Sequence, residues 1–221
     1  MTNDHGHGGY PLAMVTIITY QCLPLVRRLW QQLRRQCDGA ADVWVIDDGS
    51  TDGTAEWLEA HQCGATAPHA GVATARTRAI AEADRRGVEM LLMLDDDAVI
   101  GEPDWLERWI VAAASTDLML YSAGYRDETT GRPVPVGMHC CAVWRRVWQS
   151  IGGVDRRYDA GWGWEDQDYA RRARAAGLRV AGYDYGVAGG GVGRHNHLDC
   201  GGINHRLYIA SEGGPTYVPL S

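Results

Sequence analysis

Three aspartates in a row follow the most apolar segment of the chain. Asp95, Asp96 and Asp97 come directly after the run VEMLLML at 88–94. On an extended backbone, two carboxylates two residues apart point the same way and can hold a hard divalent cation through oxygen ligands. Three adjacent acids repel one another unless a cation or hydrogen-bond donors lie nearby, so the pattern favours a metal site. A surface acidic turn is the alternative.

A second candidate site is the segment GWGWEDQD at 161–168. Glu165 and Asp166 are expected at a helix N-terminus, where the dipole and free amides would keep Asp166 ionised and able to accept a proton. Ordinary helix capping is the alternative. Trp162 and Trp164 are separated by a single glycine, and indole faces beside carboxylates are what a sugar-binding subsite requires.

Two histidines near the C-terminal end form a third candidate site. His195 and His197 follow the glycine-rich stretch 186–193, which lets the backbone bend close to a ligand. Either imidazole could complete a metal site. The alternative is a solvated loop histidine, and we favour that alternative for His197.

The elements that must position these groups alternate between apolar strands and amphipathic helices. This order predicts parallel strands, and ligands bind at the carboxyl ends of strands in open α/β sheets. Asp47 and Asp48, which follow the second strand, should therefore face the same crevice as the three consecutive aspartates. The expected strands are 14–19, 43–46 and 88–94, and the expected helices are one that Pro24 opens, one that Thr54 caps and one from Ala73 to Arg86.

The second half of the chain is less regular, and we interpret the whole as one domain over 11–221 after a flexible tail at 1–10. Expected elements in the second half are a helix from Pro103, a strand at 117–125, a strand at 138–144 with a short helix after it, a helix over 165–177 and a strand at 178–185.

Composition excludes several classes of function. The net charge of −7 over 221 residues argues against non-specific nucleic-acid binding, which needs clustered positive charge. All 21 cationic residues are Arg, so neither a P-loop lysine nor a Schiff-base lysine exists. The six cysteines show no CxxC spacing and no signal peptide precedes them, which predicts a cytoplasmic protein. The apolar runs are too short for a transmembrane segment.

In combination, the motifs resemble those of family 2 glycosyltransferases. The chain is also similar to the β-1,4-galactosyltransferase group in GWGWED, which resembles WGGED, and in its later histidine. The resemblance implies an α/β GT-A (Rossmann-like) fold with a mixed, mostly parallel sheet flanked by helices. Within the domain it implies a nucleotide-sugar half at about 11–100 and an acceptor half at about 101–221. The matching segments are MVTIITY at 14–20, VIDDGSTDGT at 45–54, GVATARTRAI at 71–80, LMLDDDA at 92–98, RRVWQSIGGVD at 145–155 and GWGWEDQDYARRARAAG at 161–177.

The resemblance implies an inverting, metal-dependent glycosyltransferase that moves a sugar from a nucleoside-diphosphate sugar, with UDP-linked donors first, to an acceptor hydroxyl. The cofactor would be Mn²⁺ or Mg²⁺, and the acceptor a glycan, a protein or a small molecule. Asp166 would be the catalytic base and Glu165 would hold the acceptor beside Trp162 and Trp164. The implied donor contacts are Thr19, Tyr20, Asp47, Asp48, Arg76, Asp95 and Asp96, and the implied metal ligands are Asp95, Asp97 and His195.

The chain departs from the family pattern at a few positions. Ile18 stands where proline is usual, and Thr77 and Ala79 replace the usual asparagine and glycine. Trp164 replaces the second glycine of WGGED, which implies a narrowed acceptor site. A catalytically silent nucleotide-sugar or glycan-binding module on the same fold is the alternative function. A nucleotidyltransferase is a third, but the basic glycine-rich loop that it needs is missing after the first strand.

Overall fold

Nine strands, six α-helices and one 3₁₀ helix form in the part of the chain that the computed structural model describes. That part comprises residues 13–121, 137–161, 163–183, 187–189, 207, 210 and 217–220. In chain order the elements are β1 (Ala13–Thr19), α1 (Leu23–Gln36), β2 (Asp42–Asp47), α2 (Thr54–His61), β3 (Gly64–Thr66), α3 (Val72–Arg85), β4 (Met90–Asp95), β5 (Ala98–Ile100), α4 (Trp105–Ala113), β6 (Leu118–Tyr121), β7 (Cys140–Trp144), α5 (Arg145–Ile151), the 3₁₀ helix (Arg156–Ala160), α6 (Glu165–Ala175), β8 (Val180–Tyr183) and β9 (Val187–Gly189).

Seven of the strands form one mixed sheet in the order β3-β2-β1-β4-β7-β6-β8. The first four of these are mutually parallel, whereas β7 runs antiparallel to both β4 and β6. β6 and β8 are parallel to each other, and β5 and β9 form a separate antiparallel pair. The expected α/β fold with a mixed, mostly parallel sheet is confirmed.

Helices cover both faces of the sheet, which explains why the central strands are apolar on both sides. All seven residues of β1 are buried. Because strand side chains alternate, Val15 and Ile17 pack towards α1, α2 and α4, whereas Met14 and Ile18 pack towards α3, α5 and α6. The chain has no Phe, and its largest fully buried side chains are Trp105, Trp109, Trp148, Tyr158 and Tyr169.

The expected elements of the first half all form, with bounds that shift by one or two residues. One detail was wrong, because Thr54 begins α2 and does not cap it. Gly53 is the N-cap residue, with φ of 94°, and the Asp52 carboxylate accepts hydrogen bonds from the amide and hydroxyl of Thr54. The three-residue strands β3, β5 and β9 were not expected, since segments this short carry no periodicity.

In the second half, the expected strands and helices also form where the structure describes them. β6 replaces the longer expected strand at 117–125, of which residues 122–125 lie outside the described residues. β8 ends at Tyr183, and the expected continuation to 185 likewise lies outside them. No helix in the described part of the chain is long and apolar enough to cross a membrane.

Candidate active site

The carboxyl ends of three neighbouring parallel strands bring the predicted donor residues to one edge of the sheet. β1 ends at Thr19, which is in register with Asp47 at the end of β2. On the other side of β1, Ile18 is in register with Asp95 at the end of β4. These strand ends are buried up to Thr19, Asp47 and Leu94, and this burial fixes the positions of the side chains that follow.

Asp95, Asp96 and Asp97 are here called the acidic turn, and only the first of them belongs to the strand. β4 ends at Asp95, and the next two residues turn into β5. The expected extended backbone is therefore corrected, and each carboxylate has its own surroundings. Asp95 accepts hydrogen bonds from Arg76 Nη2 at 3.1 Å and from His139 Nδ1 at 2.7 Å.

The other two carboxylates of the acidic turn differ in their contacts. The Thr19 hydroxyl donates a hydrogen bond of 2.6 Å to Asp96 Oδ2. Asp97 makes no side-chain hydrogen bond to another described residue, so its carboxylate is the one open to a ligand. Burial raises the pKa of Asp96 to about 7, and the charges of Asp95 and Asp97 act in the same direction. Burial also raises the pKa of Asp95, but the Arg76 charge and the His139 hydrogen bond outweigh it and lower that pKa to about 2.

Arg76 of α3 connects the acidic turn to the first residue of α6. Its guanidinium is 3% exposed and pairs with Asp95 Oδ1 at 3.1 Å and with Glu165 Oε1 at 2.6 Å. The other carboxylate oxygen of Glu165, Oε2, is buried without a hydrogen-bond partner among the described residues. Burial raises the pKa of Glu165, although the Arg76 charge opposes it. A buried, unpartnered oxygen beside an acidic turn is a candidate contact for a ligand hydroxyl.

The N-terminus of α6 carries the predicted acceptor residues. Trp164 is its N-cap residue in a left-handed conformation, with φ of 72°, and its half-buried side chain packs against the core beneath α3, α5 and α6. Asp166 is half-buried in the first turn, where its Oδ1 accepts a hydrogen bond from the Gln167 amide. Trp162 lies outside the described residues. Asp166 is thus the neighbour of Glu165 in the chain. Its charge also acts on Arg76, which pairs with Asp95 of the acidic turn.

The remaining predicted donor residues lie at the ends of β1 and β2. Asp47 is buried and accepts hydrogen bonds from the amide and hydroxyl of Ser50, which closes the turn after β2. Asp48 is also buried and contacts the loop that precedes α3. Tyr20 is 44% exposed, and its ring stacks on that of His69. Two aromatic rings, those of Tyr20 and His69, are therefore exposed beside the carboxyl end of β1.

Two sets of hydrogen bonds that the sequence analysis did not predict hold α3 against the segment leading to α6. The Asp159 carboxylate of the 3₁₀ helix accepts hydrogen bonds from the amides of Ala73 and Thr74 and from the Thr74 hydroxyl. The Thr77 hydroxyl donates to a carbonyl within α3 or to the Val154 carbonyl, and it accepts from the Val154 amide. Together they fix the position of Arg76, which α3 carries.

Long separation along the chain explains why these partners were missed. Asp159 lies 86 residues from Ala73, and His139 lies 44 residues from Asp95. Two glycines mark these contacts. A Cβ at Gly71 would stand 2.4 Å from Asp159 Oδ1, and one at Gly153 would stand 2.6 Å from Thr77 Cγ2, so both close approaches favour glycine.

The chemistry of the acidic turn fits a hard divalent cation. It offers carboxylate oxygens only, and the two of Asp97 make no hydrogen bond to another described residue. Burial is the main cause of the raised pKa of Asp96, and the charges of Asp95 and Asp97 add to it. Within the described residues no group of three His, Cys, Asp or Glu side chains is arranged to hold a metal by itself. The predicted ligand His195, like His197, lies outside the described residues.

Several solved structures share the fold of this chain. The mannosyltransferase PcManGT from Pyrobaculum calidifontis, in complex with GDP-Man and Mn²⁺, is 20% identical over 80% of this chain and 56% of its own, with a TM-score of 0.60. Glucosyl-3-phosphoglycerate synthase from Mycobacterium tuberculosis, with Mn²⁺, UDP and glucosyl-3-phosphoglycerate, is 18% identical over 94% and 80%, with a TM-score of 0.63. S. aureus TarS 1–349 with UDP is 18% identical over 79% and 58%, with a TM-score of 0.59.

These similarities place the chain in the GT-A fold. It spans little more than half the length of PcManGT and of the TarS fragment. No curated protein matches it by sequence. A model described as the N-terminal domain of galactosyltransferase matches residues 136–199. The model of glycosyl transferase family 2 matches residues 14–161, which is well over half of the chain, and the chain therefore belongs to glycosyl transferase family 2.

Proposed function

We propose that this chain is an inverting, metal-dependent glycosyltransferase that transfers a hexose from a UDP-linked donor to an acceptor hydroxyl. One observation carries the proposal. Buried Arg76 joins the acidic turn to Glu165, whose second oxygen is buried without a partner among the described residues. A donor diphosphate at the acidic turn and an acceptor hydroxyl at Glu165 would then bind side by side, because Arg76 pairs with both parts of the site.

The donor end of the site would bind the nucleoside diphosphate. Thr19, Tyr20, Asp47 and Asp48 lie at the strand ends where the nucleoside would sit, and Arg76 keeps Asp95 ionised beside it. Mn²⁺ or Mg²⁺ would be held by Asp97 together with Asp95 and His195, and when bound it would supply positive charge to the leaving diphosphate. The PcManGT and M. tuberculosis structures with Mn²⁺ support this choice of cofactor.

The acceptor end would activate a hydroxyl group. Glu165 Oε2 would accept a hydrogen bond from the acceptor, and Asp166 would remove the proton of the attacking hydroxyl as the bond to the anomeric carbon forms. A single displacement of this kind inverts the anomeric centre. Trp162 and Trp164 would line the acceptor side, and the match to the galactosyltransferase model over 136–199 supports a WGxED-type acceptor site there.

We also propose that the protein works in the reducing cytoplasm. Cys22, Cys37, Cys63, Cys140 and Cys141 are all free thiols in the structure, and two of them are adjacent residues of the buried strand β7. Proteins that mature in oxidising compartments commonly join their cysteines in disulfide bonds.

A screen of nucleotide sugars tests the proposed activity. The purified chain is incubated with UDP-, GDP- and ADP-linked hexoses, Mn²⁺ and a mixture of candidate acceptors, and release of the nucleoside diphosphate is measured with and without EDTA. We expect Mn²⁺-dependent release from a UDP-hexose that requires an acceptor. Asp97→Ala should lose both donor binding and turnover. Nucleotide-sugar binding without turnover for any acceptor would favour the silent binding module.

A further inference from the structure

Two exposed rings form a stacked pair at the donor edge of the sheet. Tyr20 follows the last residue of β1, and His69 lies in the loop between β3 and α3. Their ring centroids are 4.1 Å apart with an interplanar angle of 15°. Tyr20 is 44% exposed and the His69 side chain 53% exposed, so both rings are accessible to solvent although each covers one face of the other.

The imidazole of His69 is fixed in place by its surroundings. Its Nδ1 lies 2.8 Å from Asp48 Oδ2 and 3.1 Å from the Asp48 carbonyl, so it donates to two acceptors of the same residue. The backbones of Gly49 and His69 also lie close together, since a Cβ at Gly49 would stand 2.5 Å from the His69 amide nitrogen. Gly49 has φ of +81°, a conformation that suits glycine, and this allows the close approach.

Asp48 has no acceptor capacity left for a ligand. Besides His69, its carboxylate accepts hydrogen bonds from the Ala70 amide at 3.1 Å, the Gly71 amide at 2.8 Å and Arg78 Nη1 at 2.8 Å. An ionised carboxylate offers about four lone-pair sites, and this side chain is only 5% exposed. Asp48 therefore holds His69 and the loop before α3, and its oxygens do not face the open donor edge.

The stacked pair lies beside the groups expected to bind the diphosphate. Tyr20 is the neighbour of Thr19, whose hydroxyl contacts Asp96 of the acidic turn. We propose that His69 contacts the nucleobase of the donor, as one half of an aromatic platform whose other half is Tyr20, and that Asp48 is a positioning residue acting through His69. The inference rests on the proposed function, which places a nucleoside diphosphate at this edge.

Stacking on this platform makes a distinctive prediction about base selection. Every nucleobase has a flat face, so stacking tolerates different bases, whereas reading of the base edge requires a hydrogen-bonding group. With Asp48 engaged inside the protein, the platform contributes similar affinity to uracil and guanine. Loss of His69 should therefore weaken UDP and GDP alike and leave a ligand without a base unaffected.

Calorimetric titration with Mn²⁺ present tests this with three probes: UDP, GDP and inorganic pyrophosphate. Replacing His69 by Ala should weaken UDP and GDP by roughly 10-fold, the usual scale for losing a stacking ring, with pyrophosphate affinity unchanged. His69→Phe keeps a flat ring over Tyr20 and should bind UDP more tightly than His69→Ala does.

His61→Ala is the matched control. His61 also packs on an aromatic ring, with a centroid distance of 4.7 Å to Trp57, and its Nδ1 also contacts a carbonyl. It ends α2, and its ring neighbours are Trp57 of the same helix and Trp30 of α1, so none of these contacts involves a predicted donor residue. We expect this variant to bind all three probes like wild type.

The outcomes separate this inference from the proposed function. A wild-type chain that binds none of the three probes would overturn both. If wild type binds UDP, then unchanged or tighter UDP binding by His69→Ala overturns the platform alone, since tighter binding would mean that the imidazole obstructs the base. A loss confined to one of the two nucleotides, a parallel loss of pyrophosphate affinity, or equal weakness of the Ala and Phe variants would also overturn it.

Discussion

Asp166 is the residue on which the proposed chemistry depends most directly. It stands in the first turn of α6, where its Oδ1 accepts a hydrogen bond from the Gln167 amide. Asp166→Asn keeps the shape of the side chain but removes its basicity. We expect UDP and Mn²⁺ affinities near those of wild type and a fall in kcat of about 10²-fold or more, the scale for losing a general base.

Glu165 gives the comparison that assigns the two acids. Its Oε1 pairs with Arg76, and its Oε2 is the oxygen proposed to accept a hydrogen bond from the acceptor. Glu165→Gln should therefore act mainly by weakening acceptor binding, and the acceptor KM should rise more than kcat falls. Steady-state kinetics of both variants separate the two roles. Transfer by Asp166→Asn at a rate within about threefold of wild type would show that another group is the base.

At the residue scale, the sequence located the acids better than it described their surroundings. Apolar runs that end in DDG or DDD mark strand ends, and the spacing of EDQD marks a helix start. The partners of these acids come from elsewhere in the chain: Arg76 reaches Glu165 over 89 residues, and His139 reaches Asp95 over 44. Local pattern carries no information about such contacts, which depend on how distant elements pack.

At the element scale, α6 is anchored by Arg172, which pairs with Asp168 inside the helix and reaches the end of α5. Arg172 is 4% exposed and donates to Asp168 and to the carbonyls of Ile151 and Gly153 at the end of α5. Arg172→Met would leave a buried carboxylate and two carbonyls short of a donor. We expect the free energy of unfolding in urea to fall by about 3 kcal/mol or more.

Arg174 provides the control for this anchor. It lies two residues further along α6, is exposed, and makes no salt bridge to another described residue. Arg174→Met should change the free energy of unfolding by about 0.5 kcal/mol or less. Equal effects of the two substitutions would contradict the anchoring role.

Asp159 is the corresponding anchor of α3. Its carboxylate accepts from two amides and a hydroxyl at the start of the helix, and no residue of the helix supplies a cap of its own. Asp159→Asn removes the negative charge from the helix N-terminus and should lower stability by about 1–2 kcal/mol in urea unfolding.

Asp104→Asn is the comparison for Asp159, because that residue at the start of α4 makes no capping hydrogen bond. We expect it to cost about 0.5 kcal/mol or less, since the pair of its carboxylate with Arg108 is exposed to solvent. An equal loss in both variants would show that the contacts of Asp159 add nothing to ordinary charge effects.

At the scale of the whole molecule, the sequence predicted the class of the fold and not its full topology. The runs at 14–19, 43–46 and 88–94 are apolar because β1, β2 and β4 are covered on both faces. Nothing in the run at 140–144 announces that β7 inserts antiparallel between β4 and β6. Strand direction within a sheet is decided by long-range packing and by the connections, neither of which has a local periodicity.

The whole molecule should be stabilised by donor and metal together. The site joins strand ends of the sheet to α3 and α6, so a ligand that binds only the folded state stabilises all of these elements at once. At 100 times its dissociation constant, such a ligand adds about 2.7 kcal/mol. For a chain of this length that corresponds to a rise in Tm of roughly 5–10 °C.

Thermal unfolding of the chain with UDP and Mn²⁺, with each alone, and with UDP in excess EDTA measures this linkage. We expect the full rise only when both are present, because the diphosphate and the acidic turn are both negative and repel one another without a cation. Asp97→Ala should lose the rise, since that carboxylate is the open one of the acidic turn. His61→Ala should keep it, because the ring of His61 contacts Trp30 and Trp57 and no predicted donor residue. An equal rise with UDP in EDTA would mean that the nucleotide binds without a metal, and the acidic turn would then need another role.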